Sequence, residues 1–322
     1  MADTLHTTVH GAFWAGAAIL IWSGSLVMLR LGVTTELNAY DLTCLRLGVA
    51  ALVLAPFVIR RGKGAVRPGF KTIVLMVLTF GAPYVLLIAV ALETAPAAAA
   101  GFLNPAVMAI GAVILGLLVS KDRARPAKLL GLIVTALGLA VYLWSGGGMV
   151  QGHFILFATG GMWALYALVV RRSGVSALQA TAMVAIGSMA VYLPLYLLFL
   201  PKAIGSAPLL DVLAQGGFHG VLVSVGAVYA FNRSAELLGP VAGAALPALI
   251  PIVTLLMGAL ALGEVFQLGE LVAALVVALG LCLILVGASP SRAVALTLGP
   301  EPEPGNEASA PARASKELAQ RQ

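Results

Sequence analysis

Residues 239–264 read GPVAGAALPALIPIVTLLMGALALGE. The run is apolar over more residues than a soluble core helix or strand needs, and it is long enough to cross the hydrocarbon core of a bilayer. It also carries Pro240, Pro247 and Pro251. Proline removes a backbone donor and clashes with the preceding turn, so such a span is expected to bend, and to do so inside a protein bundle. A second stretch has the same design. Ala95 to Val119 reads APAAAAGFLNPAVMAIGAVILGLLV, with Pro96 answering Pro240 and Pro105 answering Pro247 or Pro251. Proline-interrupted spans at matching places in two halves point to a central site between those halves.

Composition agrees with a membrane chain. The 322 residues are 61% hydrophobic and 10% charged, with a mean hydropathy of +1.02. Soluble domains carry about 25% charged residues, so the class is an all-α integral membrane protein whose first partner is the lipid bilayer. Cys44 and Cys282 both lie in apolar runs, and no CxxC or Cys/His cluster occurs. Neither a disulfide framework nor a metal site is implied. No Walker loop, dinucleotide fingerprint or zinc motif is present, so no cofactor is expected. The net charge of +6 does not imply nucleic acid, because the bases cluster in short loops where they set topology. The first Lys or Arg is Arg30, so the basic n-region of a cleavable signal peptide is missing and the first span is expected to be retained.

The pattern predicts ten helices near 10–32, 38–60, 70–92, 95–119, 126–145, 149–171, 176–200, 209–234, 239–263 and 268–287. Residues 1–9 form an arm, and 288–322 form a tail rich in Pro, Glu, Ala and Ser that is expected to be disordered. Sixteen Lys and Arg fall on one side of this arrangement, among them Arg60, Lys71, Lys121, Lys128, Arg171, Arg172 and Arg233, against only Arg30 and Lys202 on the other. The positive-inside rule then places both termini in the cytoplasm, which requires an even number of spans.

Gly11, Phe13, Trp22 and Arg30 recur at one constant offset as Gly152, Phe154, Trp163 and Arg171. Thr43 answers Thr181, Pro56 answers Pro194, and Gly138-Leu139 answers Gly280-Leu281. Two repeats follow, 10–145 and 149–287. Each holds five helices, an odd number, so the second is inverted relative to the first. Inverted repeats place their shared site about a pseudo-two-fold axis in the membrane plane, and rocking of one against the other gives alternating access.

With these residues the chain resembles the drug/metabolite transporter superfamily and, within it, the EamA-type ten-helix exporters, whose fold is that of an aromatic amino acid exporter. The resemblance covers roughly residues 10 to 287. It rests on Pro251 to Glu264, similar to the family's Pro-then-LGE ninth helix, on Trp163-Ala164-Leu165-Tyr166 in the sixth, and on Leu42-Thr43-x-x-Arg46 in the second. One departure stands out. The fourth helix ends Leu117-Leu118-Val119-Ser120, without the glutamate that closes the ninth. The resemblance implies a bacterial inner-membrane exporter of small metabolites, often amino acids or similar compounds.

Seven residues are candidates for binding a small-molecule substrate. Arg46 lies inside the second helix, where an unpartnered charge costs at least ~2.5–3.5 kcal/mol. It reads as an anchor for a substrate carboxylate or as half of a structural ion pair, with Asp41, Glu36 and Glu93 near the same level. His219 reads as a proton or substrate contact, or as a hydrogen-bonded packing histidine. Asn104 precedes Pro105 and can bond substrate or the carbonyls that proline releases. Trp22 and Trp163, repeat equivalents away from the interfacial belts, read as cavity walls or as helix packing. Tyr84 and Tyr229 offer further aromatic area with a polar tip. An aromatic-lined cavity suits apolar or aromatic amino acids. Pro105, Pro247 and Pro251 are candidate helix breaks for gating, and Glu264 and Glu236 read as solvated helix ends.

The cavity is expected among helices 1, 3, 4, 6, 8 and 9, with a monomer as the simplest assembly. Other readings are a carrier of a different metabolite class, such as sugar phosphates, nucleotide sugars or drug-like compounds, and a membrane protein without transport. An intramembrane enzyme using His219 with Ser224 is disfavoured, because residues five apart on an α-helix face different ways and no nucleophile elbow is present. No catalytic residues are therefore assigned.

Overall fold

The computed structural model describes residues 2–59, 66–119, 125–145, 148–238 and 246–287. These residues form helices and the turns between them: α1 (Ala2–Val33), α2 (Ala39–Ile59), α3 (Phe70–Phe80), α4 (Ala82–Thr94), α5 (Ala97–Val119), α6 (Pro126–Ser145), α7 (Gln151–Ser173) and α8 (Ala177–Phe199). Then α9 (Leu209–Gln215) continues through a π-helix (Gly216–Ala227) into α10 (Val228–Leu238). A 3-10 turn (Leu246–Leu249) leads into α11 (Ile250–Leu262), and α12 (Leu268–Val286) closes the described chain. Among the described residues, nine helical stretches are long and apolar enough to cross a membrane, and Pro247–Leu262 forms a shorter apolar tenth. The third span is α3 with α4, and the eighth is α9 through α10. The expected tail, Pro240, and Arg60 and Lys121 of the basic loops lie outside the described residues.

The packing has the symmetry of an inverted repeat. Spans 5 and 10 (α6, α12), 2 and 7 (α2, α8), and 4 and 9 (α5, α11) are in contact, and each pair joins repeat equivalents across the axis. The remaining principal contacts come in mates. α5 packs on α7 as α11 packs on α1, and α3 and α4 pack on α7 as α10 and the π-helix pack on α1. Spans 1, 3, 4, 6, 8 and 9 thus touch one another around the centre. From Ala97 to Ala106 every residue of α5 is buried, which puts the fourth span inside the bundle rather than on its rim.

Local structure departs from expectation in five places. The third span, expected to be continuous, breaks at Gly81. A β-carbon there would collide with the Ser188 hydroxyl and the Val77 carbonyl oxygen, so only glycine fits. Pro83 starts α4, where its missing N–H is harmless, and the Ser188 hydroxyl accepts from Ala82 N at 3.1 Å. The eighth span, expected as ordinary helix, widens into the π-helix, in which the Ser224 hydroxyl donates to the His219 carbonyl at 2.9 Å. The fourth span, expected to break at Pro105, runs unbroken through it as α5. The described part of the ninth carries Pro247 in the 3-10 turn and Pro251 in the first turn of α11, and both positions suit a residue without an N–H. At the other end of the chain, α1 is helical from Ala2, so the first helix starts earlier than the expected residue 10.

Candidate substrate site

Arg46 sits about two turns, ~10 Å, into α2. None of the expected acids pairs with it. Asp41 is fully buried and already engaged, accepting from the Tyr196 hydroxyl at 2.5 Å and from Ala203 N at 2.9 Å. Glu36 and Glu93 are exposed. Glu264 pairs with Arg30 and Glu236 with Arg233, so neither of these acids serves Arg46. Among the described residues, no carboxylate pairs with the half-buried Arg46, and Tyr84 and His219 lie within range of its charge.

The π-helix explains why His219 is in reach of that charge. Val49 and Ala50 of α2 lie directly against Gly220, so the wide turn carrying His219 runs beside the turn carrying Arg46. His219 is 1% exposed, and neither ring nitrogen has a partner. One turn earlier Gln215, which was not anticipated, donates its amide N–H to the Met28 carbonyl at 2.7 Å and leaves its carbonyl oxygen buried without a donor. Buried polar groups are nearly always bonded, and each unsatisfied one costs ~1–3 kcal/mol. Two such groups, on His219 and Gln215, lie on the helix that packs beside the half-buried Arg46 and form a polar site awaiting a partner. Ser224, whose hydroxyl is spent on the His219 carbonyl, does not serve the imidazole as an enzyme nucleophile would.

An aromatic wall continues from this polar site. Tyr84 stacks on Phe80 at 4.5 Å between ring centroids, Phe80 stacks on Tyr166 at 4.3 Å, and Trp163 lies 6.0 Å from Phe80. Phe80 is the last residue before the break at Gly81, so the break aims its ring. Sequence reading missed Phe80 as a site residue and took Tyr166 only as part of a motif. The FGAP run announced the kink, and Tyr166 lies three residues beyond Trp163, on the same helical face.

The other candidates lie elsewhere. Trp22 packs on Phe231 at 5.2 Å beside Ala18 and Ala230; this α1–α10 contact is the repeat mate of Trp163 with Phe80. Tyr229 is 56% exposed and meets Trp14 edge-on at 5.3 Å, so it does not join Tyr84. The Asn104 side-chain oxygen accepts from the Thr159 hydroxyl at 2.8 Å; this ties α5 to α7 and does not serve the carbonyls released by Pro105. Glu264 is not a solvated helix end. It pairs with Arg30 at 3.6 Å and accepts from Ala97 N at 3.1 Å. Glu236 pairs with Arg233 on its own exposed helix.

Among the described residues, ten apolar helical spans pack as two mated halves, with unpartnered polar groups buried on the eighth. The EamA-like transporter family matches the chain twice, over residues 9–144 and 150–286, and the chain belongs to that family. It is a multi-pass membrane transporter and not an enzyme. No curated protein matches it. One solved structure, described only as the crystal structure of a protein, is 21% identical over 87% of this chain and 95% of its own, with a TM-score of 0.58; that likeness shows the shared fold.

Proposed function

We propose that this protein exports small organic metabolites, amino acids or related compounds first among them, from the bacterial cytoplasm by alternating access. Arg46 is the observation that carries the reading: an interior guanidinium with no counter-ion suits a ligand that brings a carboxylate. The buried Gln215 oxygen and the unprotonated ring nitrogen of neutral His219 offer acceptors for an ammonium group. The stacked Tyr84, Phe80 and Tyr166 with Trp163 offer an apolar face, which favours aromatic and large aliphatic side chains. The excess of Lys and Arg on one side supports an inner-membrane location with cytoplasmic termini. Sugar phosphates and nucleotide sugars fit less well, because their dianionic groups call for several cations and only one cationic side chain lies at this level.

Counterflow of radiolabelled amino acids in proteoliposomes tests the proposal. Saturable exchange of aromatic or aliphatic amino acids above empty liposomes is the expected result. Folded protein that exchanges none of them would exclude amino acids as cargo.

A further inference from the structure

One end of the bundle is tied together by a small set of charged and backbone groups. Gly263, at φ +67°, ends α11 in a left-handed turn and sends Glu264 back across the bundle. One carboxylate oxygen of Glu264 meets Arg30 at the end of α1 and the backbone N–H of Ala97 in the first turn of α5. Arg30 also donates to the carbonyl of Leu92 in the last turn of α4. The Thr94 hydroxyl accepts from Gly152 N at the start of α7, at 3.0 Å. Spans 1, 3, 4, 6 and 9, five of the six central ones, are therefore joined at one level. A carboxylate at a helix N-terminus gains from the helix dipole as well as from the charge-assisted bond.

We propose that Arg30, Glu264 and the N-terminus of α5 form an ionic latch that holds this end of the transport path closed, and that the path opens there when Glu264 leaves Ala97 and Arg30. The latch rests on the reading of the protein as an alternating-access carrier.

Thr254 is the reporter of choice. It is fully buried in α11 against Gly101 of α5, and its hydroxyl has no partner, so Thr254→Cys forfeits no hydrogen bond. In a chain with Cys44 and Cys282 replaced by serine, a membrane-impermeant maleimide is added only to the compartment facing Arg30. Slow labelling is expected in this parent. Glu264→Gln and Arg30→Gln should each speed it by about fivefold to tenfold, the shift expected when one state loses a charge-assisted bond. The double variant should be no faster than the faster single, because both remove one latch. Rates within about twofold of the parent in both singles, or a double variant equal to the product of the singles, would overturn the proposal. If Glu264→Gln does not fold, Arg30→Gln decides alone. Labelling needs no substrate, so failed amino acid exchange would leave this result standing.

Discussion

The Tyr196 hydroxyl donates to the Asp41 carboxylate at 2.5 Å, joining the last turn of α8 to the first turn of α2. These helices are repeat equivalents, so the bond pins the axis-straddling pair 2/7 at one end. It also removes from Arg46 the acid nearest in sequence. The carboxylate is fully buried and takes further bonds from Ala203 N and Asn38 N. Tyr196→Phe keeps the ring and deletes a donor to a buried charge, at a cost of ~1.5–3 kcal/mol. A clear drop in the thermal midpoint in detergent is expected, with substrate affinity unchanged.

Arg46 should behave in the opposite sense. Its replacement by leucine removes an interior charge that no residue neutralises, so the apo protein should become more stable. Substrate affinity should fall about tenfold to a hundredfold, the equivalent of one lost charged hydrogen bond. Thermal unfolding with and without ligand measures both, and the ligand-induced rise in midpoint should vanish.

The aromatic wall predicts selectivity. Phe80→Ala removes the ring shared by Tyr84, Tyr166 and Trp163, and aromatic pairs contribute ~0.5–1.5 kcal/mol beyond area burial. Competition assays should show a larger loss for aromatic than for small aliphatic substrates.

The kink at Gly81 predicts a steric failure. In Gly81→Ala the new methyl meets Ser188 and the Val77 carbonyl, so yield of folded protein should drop sharply. Ser188→Ala, which only deletes the acceptor for Ala82 N, should cost ~1 kcal/mol. Size-exclusion profiles and thermal midpoints separate the two.

The spans and the repeat were legible because hydropathy, loop charge and matched residues such as Trp22 with Trp163 are local facts of sequence. Arg46, His219 and Tyr84 stood out as polar groups in apolar surroundings, and the structure brings these three together. Phe80 was not legible, because its role depends on the break at Gly81, and one Gly-x-Pro among 36 glycines and 17 prolines carries little weight alone. The π-helix was illegible, since no residue pattern announces the wide turn that sets His219 beside Arg46. Tyr229 lies 56% exposed and away from Tyr84, because an aromatic residue in an apolar span can face outward as readily as inward and its sequence position alone does not fix the face. Glu264 misled for a related reason: the helix that it caps is distant in sequence.

The most direct measurement compares an amino acid with its carboxamide as competitors of counterflow, in the wild type and in Arg46→Gln. The account predicts that the acid competes and the amide does not in the wild type, and that the variant loses this preference. Equal competition by acid and amide in the wild type would contradict the assignment of Arg46 as the carboxylate anchor, and with it the proposed site.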